Sequence, residues 1–391
     1  MKIQILAFLA FLSVSNFSMA MTGPEAKTTK EVMNKALGSF VNLQPFIHDP
    51  NKFYDKKHDE YINVQLQNII DVFKSGSHNA KLNAPGFKPS FETISSYLIA
   101  TKEAFNSPHK GFAHNRLQAL SGLCMSCHTQ LDSQNSSRFS VSLKAVRRDS
   151  FQSDFEYAEF LFLLRDFTSS ARYYERVLAE VKAIDLKKKM ATPINFETYK
   201  KALQRLVTIN IKISYKPEQA LAYIDKYASD RLLPPLVRDD FTSWKAQIKD
   251  LQKVYTPWNV SNAEELLRFE KKYLNGLDEE GLGSGAEDMK LLAMSGVLTK
   301  FLNFRPNSKE APHALYWLGI AEERLHFNFF YSLGELYLKE CVERYPKHPY
   351  AKKCFKKYEE IIVSGFSGSA GTDIPSDEQK ELSRLKSLIS Q

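Results

Sequence analysis

The stretch GLCMSCHTQL, residues 122–131, constrains this chain more than any other segment. Cys124 and Cys127 stand three apart, and His128 follows at once. Such a pair serves a metal site, a thiol redox couple or the attachment of a covalent cofactor. A structural zinc site wants four ligands, usually as two closely spaced pairs. The other two cysteines, Cys341 and Cys354, lie far downstream and 13 apart, so they do not supply the second pair. A thioredoxin-like couple needs a strand before it and a helix after it. Here Ala113, Leu117, Leu120 and Cys124 recur at steps of three and four, which is the helical period. What remains is Cys-x-x-Cys-His, the attachment signature of c-type haem. Two thiols at this spacing each form a thioether with one vinyl group, and the adjacent imidazole reaches the iron. Cys124 and Cys127 are the expected anchors of one covalently attached haem, with His128 as the proximal iron ligand.

The N-terminus points to the same chemistry independently. MKIQILAFLAFLSVSNFSMA has a Lys near its tip, an apolar run from Ile3 to Val14 and then Ser18-Met19-Ala20. That is the order of a secretory signal, with cleavage expected after Ala20 and the bacterial periplasm as destination. Later apolar runs are too short to cross a bilayer. Without residues 1–20 the chain carries a net charge of +7, from basic groups scattered in short clusters along acidic helices. This reads as solvated helix surface and excludes a nucleic-acid stripe.

Residues 24–132 parse as four amphipathic helices. The first spans about 27–47, with Val32, Met33, Ala36, Leu37, Phe40 and Val41 on one stripe, and His48-Asp49-Pro50 ends it. The second spans about 56–75 and stops at Gly76; the third follows a Pro/Gly loop with Ser90 as its cap. The fourth runs from about Phe112 to Leu131 and carries the haem motif near its end. This arrangement resembles the cytochrome c′ family, an up-and-down bundle with its haem signature late in the last helix. The resemblance covers roughly 110 residues. By the match of Lys30-Glu31-Val32-Met33 to that family's first helix, Met33 takes the distal position and Lys30 the place of a propionate-contacting Arg. Thr129-Gln130 stands where the family commonly has a further Arg.

Met33 decides between functions. As a ligand it makes a six-coordinate His/Met iron suited to electron transfer; as a mere neighbour it leaves a face open to a small gas such as nitric oxide. His48, His58, His78, His109 and His114 read as surface residues, His114 being the best of them as a second ligand.

Residues 133–153 form a polar linker, and residues 154–364 show helical pairs with alternating small and bulky positions. One pair turns at Arg165-Asp166 with small Ser170; another turns at Lys216-Pro217 with small Ala220 and Ala222. Pro306, Ala311 and Ala314 recur as Pro346, Ala351 and Cys354, a shift of 40. The pattern resembles tetratricopeptide repeats, which implies stacked hairpins with a shared core. Cys341 and Cys354 fall level on consecutive antiparallel helices and are candidates for a disulfide in an oxidising compartment. Residues 276–288 lack the Lys-Ser/Thr of a phosphate loop. Residues 365–391 read as a tether and a short helix, with Ser376 and Gln379 as a capping box.

The expected fold is all-α: a four-helix haem-binding bundle followed by an α-solenoid of helical-hairpin repeats. The expected function is a periplasmic mono-haem cytochrome, an electron carrier rather than an enzyme, whose repeats dock a redox partner or an envelope complex. The alternatives are a gas-binding haem protein with a vacant distal face and an envelope scaffold with accessory haem.

Overall fold

The computed structural model describes residues 28–76, 79–129, 146–182, 196–228, 233–254, 260–277, 287–325, 332–369 and 371–390. The signal segment and most of the linker lie outside the described residues. The fold is all-α, with sixteen α-helices and one two-stranded hairpin among the described residues. None of these helices is long and apolar enough to cross a membrane.

Helix α1, Thr29–His48, starts at a capping box in which Thr28 and Glu31 satisfy each other's backbone. Its stripe buries Val32, Leu37, Phe40, Leu43 and Ile47. Asp49 then accepts hydrogen bonds from Asn51 and Lys52 and caps a further short helix, α2, Pro50–Tyr54. Sequence periodicity overlooked α2, although an Asp followed by Pro is a helix-start signal. Helix α3, Asp59–Gly76, stops at Gly76 as expected. A β-carbon there would meet Phe91 and Val32 at 3.1 Å, so the residue permits close approach to its neighbours. Helix α4, Lys88–Phe105, corrects the reading of Ser90, which is buried inside the helix rather than capping it. Pro89 allows the earlier start, because a first-turn proline sacrifices no intrahelical bond. Helix α5 spans Lys110–His128. α1 packs on α3, α3 on α4 and α4 on α5, and α5 returns to α1, closing a ring.

The array begins with α6, Asp154–Leu163, and α7, Phe167–Lys182. Ser170 is small enough to press against α6, and its hydroxyl donates to Ala158 O at 2.8 Å. There follow α8, Phe196–Thr208, extended by a wide π turn over Ile209–Ile213, then α9, Pro217–Tyr227, and α10, Pro235–Val254. Of the two small residues expected in α9, Ala220 is buried and Ala222 faces solvent. Helix α11, Ala263–Phe269, also ends in a π turn, Glu270–Leu274. The series continues with α12, Asp288–Phe304, α13, Ala311–Leu325, α14, Gly334–Arg344, and α15, Pro349–Gly365. From α12 to α15 each helix packs on the next.

The 40-residue shift reappears as a repeated turn. Arg305 N–H bonds to Phe301 O, Ser308 N–H to Arg305 O, and Ala311 N–H to Ser308 O. Tyr345 to Cys341, His348 to Tyr345, and Ala351 to His348 make the same three bonds. Cys341 and Cys354 form a disulfide across α14 and α15, with Cα atoms 6.3 Å apart. Beyond a small hairpin, Ser367–Gly368 with Gly371–Thr372, α16 covers Ser376–Ile389 and packs on α14 and α15 with Leu385 buried. The proposed capping box does not form: Pro375 is the cap, and the Gln379 amide donates to Ile374 O instead.

The ring and the array touch at several places, two of them between helices. α5 packs on α6, and α4 packs on α14. At the second contact Lys88 lies 2.8 Å from Glu340 and 3.5 Å from Glu343, and Arg344 donates to Asn83 O at 2.7 Å.

Candidate functional site

The centre of the ring is hollow. An apolar cavity of about 50 Å³ lies among α1, α3, α4 and α5. Each helix lines it with residues four apart, the spacing that puts side chains on one helical face. α1 contributes Met33 and Leu37, with Ala36 and Phe40 beside them. α3 contributes Ile69 and Phe73, and α4 contributes Ile94 and Leu98. α5 contributes Leu120, Cys124 and His128 in steps of four. The side-chain heteroatoms in this lining are the Met33 thioether, the Cys124 thiol and the His128 imidazole; every other lining side chain is hydrocarbon.

His128 is the last residue of α5. Burial is the main force that lowers its proton affinity, and the positive charge of Arg165 adds to it. The backbone of Leu163 opposes both, and the pKa stands at about 4. The ring is therefore neutral at ordinary pH, the form in which imidazole ligates a metal. Its Nδ1 is buried without a hydrogen-bond partner, an orphan that a folded protein seldom keeps without a use. Cys127 lies one helical turn after Cys124, and residues three apart are surface neighbours on a helix. These residues fit a thioether-anchored porphyrin: a neutral imidazole and a thiol share one wall of an apolar cavity.

The other candidates fall in different places. Met33 lies on the α1 wall, part-buried against the core. Lys30 is exposed one turn earlier and does not line the cavity. His114 corrects the reading of a surface residue. It is 5% exposed, its ring lies tilted against Phe53 with centroids 4.6 Å apart, and its Nε2 is 3.0 Å from Ile47 O; it does not line the cavity. His58 and His109 do not line the cavity either, and His78 lies outside the described residues.

Sequence reasoning missed the twelfth lining residue, Leu163 of α6. The array thus contributes to the cavity wall, and only the tertiary packing of α6 on α5 reveals it. No family model, curated protein or solved structure matches this chain.

Proposed function

We propose that this protein is an exported mono-haem c-type cytochrome that carries single electrons, built from a cytochrome c′-like four-helix bundle and a tetratricopeptide-like solenoid. One observation carries the reading: the anchor Cys124, the proximal candidate His128 and the distal candidate Met33 line a single apolar cavity. Haem, when bound, supplies a one-electron iron couple. The chain would supply sulfur anchors at Cys124 and Cys127, a neutral imidazole at His128, the Met33 thioether on α1 and apolar walls. Burial and axial-ligand identity are the levers by which a protein sets such a couple. The solenoid holds the bundle at α6 and α14 and leaves its remaining faces to a redox partner or an envelope complex.

The test is an absorption spectrum of the purified protein, oxidised and reduced, with and without carbon monoxide. A low-spin wild type that Met33→Ala converts to a high-spin, carbon-monoxide-binding form supports the His/Met electron carrier. A high-spin wild type that takes up the gas selects a gas-binding protein instead. Pigment that acidified solvent extracts from denatured protein rules out thioether attachment.

A further inference from the structure

The 40-residue shift sets Ser308 and His348 at the same step of the repeated turn. The Ser308 hydroxyl accepts from Glu310 N–H at 3.3 Å, and the His348 Nδ1 accepts from Tyr350 N–H at 3.2 Å. Each side chain thus holds the amide two residues on, and His348 is the cap of α15. The two acceptors differ in one respect. A hydroxyl keeps its lone pairs at any ordinary pH, whereas an imidazole nitrogen accepts only while it carries no proton. The cap therefore needs a neutral His348 with its hydrogen on Nε2. A charged ring would point a second N–H at the Tyr350 amide.

We propose that His348 is a proton sensor in the last hairpin of the array: it caps α15 only as a neutral imidazole, so mild acid uncaps that helix and loosens its junction with α13. The surroundings favour the neutral form. Partial burial is the main cause that lowers its proton affinity; His313 adds to it and Glu310 opposes it. The His313 ring lies edge-on to His348 at 5.4 Å. Glu310 is engaged elsewhere, by the Ser308 hydroxyl at 2.6 Å and by Lys309 at 3.7 Å. Lys347, Lys352 and Lys353, beside His348 in the chain, are exposed cations, and Arg344 at the end of α14 pairs with Glu340. His313 is no such sensor. Its Nδ1 stands 2.7 Å from Glu270 of the α11 π turn, where a hydrogen donates to the carboxylate whether the ring is neutral or charged. Tyr350 donates to the same carboxylate and lies against His313 with ring centroids 3.9 Å apart. The first turn of α15 thus meets α13 and the π turn at one point, and the cap holds that turn in place. A histidine of depressed proton affinity stabilises the fold above its unfolded value, 6.5, and loses that contribution as pH falls through the folded value. Serine at position 308 leaves the first copy of the turn indifferent to the same change.

The experiment is hydrogen exchange of the full-length protein, read over residues 345–355 at about pH 7.5 and about pH 5, as protection relative to the intrinsic rate. Wild type is expected to lose protection roughly fivefold between the two, the equivalent of one helix cap. His348→Ser copies the cap of the first turn and should keep its protection at both. His348→Ala should be poorly protected at both. Glu335, at the far end of α14, is raised to about 7, by burial first and then by Glu323 and Glu378, but it is common to all three proteins. Should His348→Ser fail to fold, His348→Asn is another cap without a titrating group and carries the same expectation. Unchanged protection in wild type overturns the inference. So does an equal acid loss in wild type and His348→Ser, which would assign the response to His313 and Glu270.

Discussion

In residues 28–129 four helices surround an apolar cavity of about 50 Å³ walled by Phe, Leu, Ile and Ala with Met33, Cys124 and His128. In the array, α12 and α13 are buried on nearly every face, with Met289, Phe301, Leu315 and Trp317 among the side chains filling that interior. Charge is handled differently too. The array buries cations against carboxylates, Lys212 to Glu322 at 2.9 Å and Arg205 to Glu159 at 3.0 Å. The bundle leaves His128 Nδ1 buried and unpaired at the edge of its hollow. An interior normally packs as densely as an organic crystal, and side chains facing a void lose their dispersion contacts. The array's interior is thus filled by its own side chains, whereas on the proposed reading the bundle's cavity takes an insert, the haem.

The largest expected effect comes from withholding that insert. Replacing Cys124 and Cys127 together by Ser removes both thioethers, so all covalently held pigment should be lost on acid extraction. Calorimetry of the same protein should show the bundle unfolding well before the array, whose transition stays where it was. A bundle that melts at an unchanged temperature without pigment would mean that the hollow needs no filling.

A second substitution attacks the comparison from the array. Lys212, in the π turn of α8, is 2% exposed and pairs with Glu322 on α13. Gly296 of α12 presses on the same turn so closely that a β-carbon would stand 2.5 Å from Lys212 O. Removing one partner of a buried pair leaves the other charge uncompensated, at about 3–5 kcal/mol. Lys212→Met should cost that much in urea unfolding of the array, and Lys212→Met with Glu322→Leu should recover most of it. A loss below ~1 kcal/mol would show that water reaches the pair and that the array is looser than its packing suggests.

How much of this was legible in the sequence depends on how far apart the determining residues lie. The haem signature is local, and so are the helical stripes of α1, α3 and α5 that bring Met33, Cys124 and His128 to one cavity. The 40-residue shift was legible because each turn is set by its own Pro and small residues, and the two turns repeat bond for bond. The disulfide pair was nameable from its distance to the intervening turn. Caps were less secure. Ser90 and Ser376 are suitable capping residues, yet Pro89 and Pro375 set the helix starts beside them. His114 looked exposed because periodicity does not show that α1 presents its Ile47 carbonyl to the ring. Leu163 was illegible as a site residue, since only the docking of α6 on α5 brings it to the cavity.

The smallest effect expected concerns how each unit is closed at its end. The bundle's cavity takes one wall residue from outside, Leu163, whereas the array is covered by its own last helix. α16 lies over α14 and α15 with Leu385 buried. At its edge Glu381 bonds Arg384 at 2.7 Å and Lys339 at 2.6 Å. Its hydrogen bond from Arg384 is the main cause of a carboxyl pKa lowered to about 2; partial burial opposes the shift, and the bond and charge of Lys339 reinforce it. A depressed acid stabilises the folded form above its unfolded pKa and loses that contribution as pH falls through the folded value. The docking of α16 should therefore weaken as pH falls from about 4.5 toward 2. Exposed pairs of this kind contribute about 1 kcal/mol or less, so the helix should loosen without global unfolding. Hydrogen exchange over residues 376–389 reads this directly. Glu381→Gln should show raised exchange at neutral pH and no further rise in acid through this group. Exchange that stays low in both the variant and acid would place the whole hold on Leu385, and the array's end would then be held by apolar contact alone.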